Sequence, residues 1–374
     1  MMLAAALALL ASAQQGEDLV SLGLRYLARH QAPEGSWGLR RAACSCPAEP
    51  ALPDPPVNAE LLSRIELLIA ALDDDDFQRR EKAVRDLVAV GPPALAALRD
   101  SAAKGSPEAR WRAKAALDRI GVAGTSEEVE ATAMALVAFL GAGFSHLSRD
   151  LHDGISFGTV VKLGLQWLMA RQRPDGSFEG ATSAAQAWAA FALSEAYGMT
   201  ASAPIKEPAQ KAIEYIGGHP ATDARTAFYQ GLALKSAELA DLSFPRSAGE
   251  RAVAAVLARR ADEPASIFVR AAAQILQIFT YKDMRRVDLT GLPGLDLSRM
   301  EMETLYVVGQ AIFQAEGPHG GQWKAHRDRQ REWIVPLQDQ VHGKCDRGSW
   351  PAAATRERLK TAALATMSCE IYYR

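Results

Sequence analysis

Apolar residues return at helical spacing along most of this chain. Leu19, Leu22, Tyr26 and Leu27 form one stripe, and Val160, Val161, Leu165 and Leu168 form another; each predicts an amphipathic helix. Both stripes end in the same phrase. Gln31-Ala32-Pro33-Glu34-Gly35-Ser36-Trp37 follows the first, and Gln172-Arg173-Pro174-Asp175-Gly176-Ser177-Phe178 follows the second. A stretched third version runs from Gln340 to Gly348-Ser349-Trp350. In each copy the Gln hydrogen-bonds orphan carbonyls at the end of the helix. Pro33 or Pro174 forbids further helix in the first two, the Gly permits a left-handed turn, and the aromatic packs back over the joint. A recurring helix-plus-turn unit predicts a repeat architecture whose units bury their apolar faces only against neighbours. Where a further copy is expected after Tyr215-Ile216, the chain reads Gly217-Gly218-His219-Pro220, a degraded repeat.

A second pattern interrupts the first. After the Pro-rich stretch 46–57, residues 58–122 carry shorter helical stripes: Leu61, Ile65, Leu68 and Ile69; Val84, Leu87 and Val88; Leu95 and Leu98; Ala113, Leu117 and Ile120. Asp73-Asp74-Asp75-Asp76 and Gly91-Pro92-Pro93 punctuate them, and Gly121 to Gly124 is the expected end. Phe77 to Leu87 resembles a HEAT-type repeat, in which paired helices stack into a solenoid.

The turn phrase resembles the QW motif of the terpene cyclase and protein prenyltransferase superfamily. More closely, the chain is similar to the prenyltransferase/squalene-oxidase-repeat proteins of planctomycete-type bacteria. Ala131 to Gly143, Leu193 to Thr200, Ala233 to Ala237 and Cys369 to Arg374 carry the likeness, within residues 17–38 and 126–374. The resemblance implies an all-α fold: an α/α toroid of helical-hairpin repeats over residues 14–45 and 123–374, with the HEAT-like module inserted.

The charge changes the picture little. A net charge of −2 with 48% hydrophobic residues supplies a core and makes no electrostatic case for nucleic acid. Residues 1–13 are almost wholly apolar and end in Ala11-Ser12-Ala13, the small-x-small form of a signal-peptidase site, which predicts export to the periplasm or cell envelope. No later stretch has the length and apolarity of a transmembrane span. Four cysteines do not make a disulfide framework in so long a chain, but in an exported protein Cys44 or Cys46 would be placed to pair with Cys345.

The resemblance also directs attention to acids and thiols. Asp73 to Asp76 satisfies the Asp-x-Asp-Asp pattern of cyclase proton donors, yet four carboxylates beside Gln78, Arg79 and Arg80 read as a solvated helix start. Glu130, in Glu-x-Ala-Thr-Ala form near Thr132 and Ala133, and Asp153 are lesser candidates for the acid. Prenyltransferases hold zinc on Asp-x-Cys with a distant His; here Gly343 stands where that Asp belongs, so Cys345, Asp346 and His342 are only an approach to such a site. Aromatics at 7% are sparse for stabilising carbocations. The expectation is therefore a binding or scaffold module for a protein, peptide or apolar ligand, without metal or cofactor. Gln31, Gly35, Trp37, Gln172, Gly176, Phe178, Gln340, Gly348 and Trp350 would be its structural turns. The alternative is an isoprenoid-acting enzyme whose acid lies elsewhere.

Overall fold

The computed structural model describes residues 19–38, 59–90, 94–262, 266–281, 291, 294–341, 345–352 and 355–371, and it is all-α apart from one two-residue hairpin. The first thirteen residues, the Pro-rich stretch, Cys44, Cys46 and His342 lie outside the described residues. Among the described residues no helix is long and apolar enough to cross a membrane. The chain divides into two compact units, residues 46–126 and residues 1–45 with 127–374.

The smaller unit contains α2 (Ala59–Ala70), α3 (Phe77–Val90), α4 (Leu95–Lys104) and the first part of α5 (Pro107–Gly141). Its own core joins Ile65, Leu72, Val84, Leu87, Leu98 and Ala113. The acidic run starts α3: Asp74 Oδ1 accepts from the Asp76 amide at 2.8 Å, and Asp76 Oδ1 from the Gln78 amide at 2.7 Å. Helix α5 continues through Gly121 and Gly124, where the sequence predicts a stop. Glycine costs about 1 kcal/mol in a helix and does not end one by itself.

The larger unit alternates two kinds of helix. α1 (residues 19–29), α6 (Phe157–Met169), α8 (Ala203–Gly218), α10 (Arg246–Asp262) and α13 (Gly321–Ile334) are of the first kind. They bury one face; in α10 the buried positions are Ala248, Ala252, Val253 and Val256. The second kind comprises the remainder of α5, α7 (Ser183–Thr200), α9 (Ala224–Leu239), α11 (Ile267–Tyr281), α12 (Met302–Glu316) and α14 (Thr355–Glu370). These carry unbroken buried runs such as Ala185 to Ser194 and Leu305 to Phe313. Alanine-rich faces let such helices pack on all sides. Thr182 and Asp223 cap α7 and α9 by accepting from the Ala185 and Thr226 amides. Between α11 and α12 the described residues hold only a 3-10 turn, Leu297–Arg299. Strands β1 (Leu151–His152) and β2 (Ile155–Ser156) pair antiparallel, Leu151 opposite Ser156.

The recurring phrase joins one helix of the first kind to another. Gln31 Nε2 donates to Gly35 O at 3.0 Å within its turn and to Val160 O of α6 at 2.9 Å. Gln172 Nε2 repeats this with Gly176 O at 3.3 Å and Pro208 O of α8 at 2.9 Å. In the third turn the bridging side chain is Gln338, which donates to Gly348 O at 3.2 Å and to Leu19 O of α1 at 3.0 Å. Gln340 is exposed, two residues further on. The Gln-to-Gly spacing is 4 in the first two turns and 10 in the third, so the third copy is an insertion between fixed ends. The glutamine thus bonds the next helix rather than closing its own.

Each turn glycine meets the same neighbouring helix three residues beyond the glutamine's partner. A Cβ on Gly35, Gly176 or Gly348 would lie 2.3, 2.1 or 2.0 Å from the carbonyl oxygen of Leu163, Lys211 or Leu22, and all three have φ near +90 to +100°: 103, 87 and 94°. Trp37 and Trp350 close the joint, each fully buried with its indole N–H donating to Leu27 O and Ile334 O at 2.7 and 3.0 Å. Phe178 fills the same place in the second turn and is buried. In the first two joints a helix side chain also holds the turn: Thr132 Oγ1 accepts from the Trp37 amide, and Gln186 exchanges two bonds with the Phe178 backbone. In the degraded repeat Gln230 does this alone, bonding Ala221 N and His219 O.

Two outcomes are expected. Trp37→Ala and Trp350→Ala should each destabilise by roughly 3 to 5 kcal/mol, and Gln338→Ala by about 1–3 kcal/mol, whereas Gln340→Ala should be near neutral; urea denaturation ranks the four. Because each unit has its own core, joining Ser45 to Glu127 through a short linker should leave a cooperative thermal transition in circular dichroism. A broad, non-cooperative melt would show that residues 46–126 are part of the larger unit's core.

Candidate functional site

The fully buried helices would be expected to be apolar throughout, yet several carry charge near their N-terminal ends. Arg225 and Tyr229 stand one turn apart on α9, Glu303 lies in the first turn of α12 with Glu301 preceding it, Glu130 lies on α5 and Lys360 on α14. Helix packing brings them together. Tyr229 donates its hydroxyl proton to Glu303 Oε1 at 2.8 Å, and Arg225 Nη2 lies 3.0 Å from Glu303 Oε2 and 3.5 Å from Glu301 Oε2. Lys360 Nζ pairs with Glu130 Oε2. The Trp188 ring of α7 packs at 4.2 Å on Tyr229, and the Arg225 guanidinium sits 5.7 Å from the Phe268 ring of α11. Six buried helices therefore contribute to one cluster.

The electrostatics of this cluster are set by burial. Desolvation raises the pKa of Glu303; Arg225 and the Tyr229 hydrogen bond oppose the rise, and Glu130 and Glu301 add to it. Tyr229 is wholly buried, and desolvation next to the Glu303 charge pushes its pKa well above the ordinary tyrosine value, so it remains a donor. Glu303 keeps 15% of its side chain exposed, while Arg225 keeps 53%, so the acid is recessed and the cation stands at the rim. Chemically this is a face with a recessed carboxyl of raised pKa, a phenol donor and two cations.

The positions expected from sequence separate. Glu130 joins the cluster. Asp153 lies in the β1–β2 turn, with φ of 50°, and pairs with Arg25. Cys345 Sγ faces His30 Nε2 at 3.4 Å, and Asp346 pairs with Arg358 at 2.6 Å. Among the described residues no group of three or more His, Cys, Asp or Glu side chains has metal-binding geometry. Arg225, Tyr229, Glu303, Lys360 and Trp188 were not anticipated. Their signal was present as isolated charges inside otherwise apolar helical runs, but single-helix periodicity does not say which helices meet.

A second concavity opens at the opposite ends of α9 and α11. This cleft of about 710 Å³ is lined by Leu234, Lys235, Asp241, Phe244, Phe279 and Tyr281 among others. Lys235 is engaged there by Glu238 at 2.8 Å and by the Phe279 ring at 5.7 Å.

Replacing Glu303 by Gln keeps an acceptor for Tyr229 and removes the desolvated charge. For an acid whose folded pKa is raised, the cost is present above that pKa and absent where the carboxyl is protonated in both states. Glu303→Gln is therefore expected to raise thermal stability at pH 7, with the difference vanishing as the pH falls below the ordinary glutamate range near 4.3. Calorimetry of the two proteins across pH checks the sign. Comparison of the chain with known protein families, curated proteins and solved structures finds no match.

Proposed function

We propose that the chain is an exported, non-catalytic α/α toroid with a HEAT-like insertion, and that the cluster around Glu303 and Arg225 is its ligand-contacting face. The third turn, which returns to α1, and the Lys360–Glu130 pair, which links the last buried helix to the first, support a ring of hairpins. The Tyr229–Glu303–Arg225 contact carries the functional reading. A recessed acceptor beside an exposed cation suits an extended peptide segment that carries both signs of charge. It is less suited to an apolar chamber for hydrocarbon chemistry.

One observation favours the enzymatic alternative. Glu303 is a carboxyl with a raised pKa bonded to Tyr229, whose ring packs on Trp188, an environment of the kind that a general acid acting on an isoprenoid needs.

Fluorescence anisotropy with labelled ten-residue peptides of mixed, acidic, basic and apolar composition distinguishes the two. Mixed-charge peptides should bind best, and Arg225→Ala should weaken them about tenfold, near 1.4 kcal/mol. Failure of every peptide class, together with a cyclised or transferred product from squalene, oxidosqualene or an allylic diphosphate that disappears in Glu303→Gln, would replace the binding reading by the enzyme.

A further inference from the structure

Helix α1 ends near Arg29 and His30, and the expanded third turn lays Cys345 against them across 315 residues of sequence. His30 Nδ1 lies 2.7 Å from Tyr26 O, which places the ring proton on Nδ1 and leaves the Nε2 lone pair for Cys345 Sγ at 3.4 Å. The Tyr26 ring packs on the imidazole at 4.2 Å and fixes its plane. Burial, with Arg29 and Arg358 assisting and Asp346 and the Tyr26 carbonyl opposing, lowers the His30 pKa, so the ring is a neutral acceptor at pH 7. Arg29 is placed to attract negative charge developing on Cys345, is itself repelled by Arg347 and Arg25, and is hydrogen-bonded to Arg347 O. Cys345 as a residue is half-buried rather than enclosed in the core.

A thiol facing a neutral imidazole with a guanidinium alongside is set for deprotonation on attack. We propose that Cys345 is a general-base-activated thiol and a redox modification site whose reactant is a hydroperoxide. Sγ gives its proton to His30 Nε2 and attacks one oxygen of hydrogen peroxide. The S–O bond forms as the O–O bond breaks, and the departing hydroxide takes the proton from the imidazolium to leave as water. Sulfur is oxidised by two electrons to sulfenic acid, the peroxide is reduced, and His30 is again neutral. The added oxygen lies in the seam between α1 and the third turn, so oxidation should also loosen that joint.

The test uses the full chain after mild reduction and follows iodoacetamide labelling of Cys345 by peptide mass spectrometry. An unassisted thiol of pKa near 8.5 gains about fifty-fold in rate from pH 6.5 to 8.5. A thiol served by an already neutral base should be nearly flat over that range, and His30→Gln should restore the steep rise. Cys369, whose thiol burial pushes up to about 12, should stay unlabelled. Exposure to hydrogen peroxide with dimedone should add the probe at Cys345 and lower the melting temperature. A steep wild-type profile would overturn the proposal. So would Cys345 found disulfide-linked to Cys44 or Cys46 in the unreduced protein, or held by stoichiometric zinc.

Discussion

One side-chain amide, used three times, organises the larger unit. Each glutamine Nε2 serves two carbonyls, one in its own turn and one in a neighbouring helix. The helical carbonyl already accepts its intrahelical bond, so the glutamine uses the second lone pair. The geometry is satisfied only if the turn backbone approaches the helix closely, and a Cβ at the turn glycine would sit 2.0 to 2.3 Å from the helix carbonyl oxygen. Gln and Gly are thus a single constraint. Neither has a substitute that keeps both the bond and the approach.

That constraint explains why the third turn tolerates an insertion. Loop-closure entropy grows slowly with length, so extra residues between fixed ends cost little. What must be kept is the pair Gln338 and Gly348, the bond from the Gly348 amide to Asp339 O and the tryptophan behind it. Of the inserted residues, Asp339 and Asp346 also bond the Gly348-Ser349 backbone, whereas none of the bonds just named uses Cys345. Their position beside the end of α1 delivers Cys345 to His30, and a chemical group is gained without disturbing the packing.

Much of this was legible because it is local. The stripes around Leu19 and Val160 appear as helices, the core positions Ile65, Val84, Leu87 and Leu98 are buried, and the aspartates before Phe77 cap α3. The sequence pattern points to Gln340 because a one-dimensional pattern shows only that a glutamine precedes the glycine, whereas the bond to Leu19 on another helix is made by Gln338. The Gly121 to Gly124 stretch does not end a helix, because glycine only biases a helix against continuing and α5 continues, although the division between the two units, at Ser126 and Glu127, falls just beyond it. The Glu303 cluster was invisible because its members are paired across 74 and 230 residues of chain.

The same cluster shows where local consistency gives way. A buried helix is cheapest when every side chain on it is apolar, and α12 holds to that from Leu305 to Phe313 while placing a carboxylate two residues earlier. Tyr229 and Arg225 offset the desolvation of Glu303 without cancelling it, since the balance still raises its pKa. A partly compensated charge at the head of a helix contributes little to folding that a neutral glutamine would not. What the carboxylate offers over that neutral side chain is charge, recessed behind an exposed guanidinium, and it is this charge that the proposed ligand-contacting role would use.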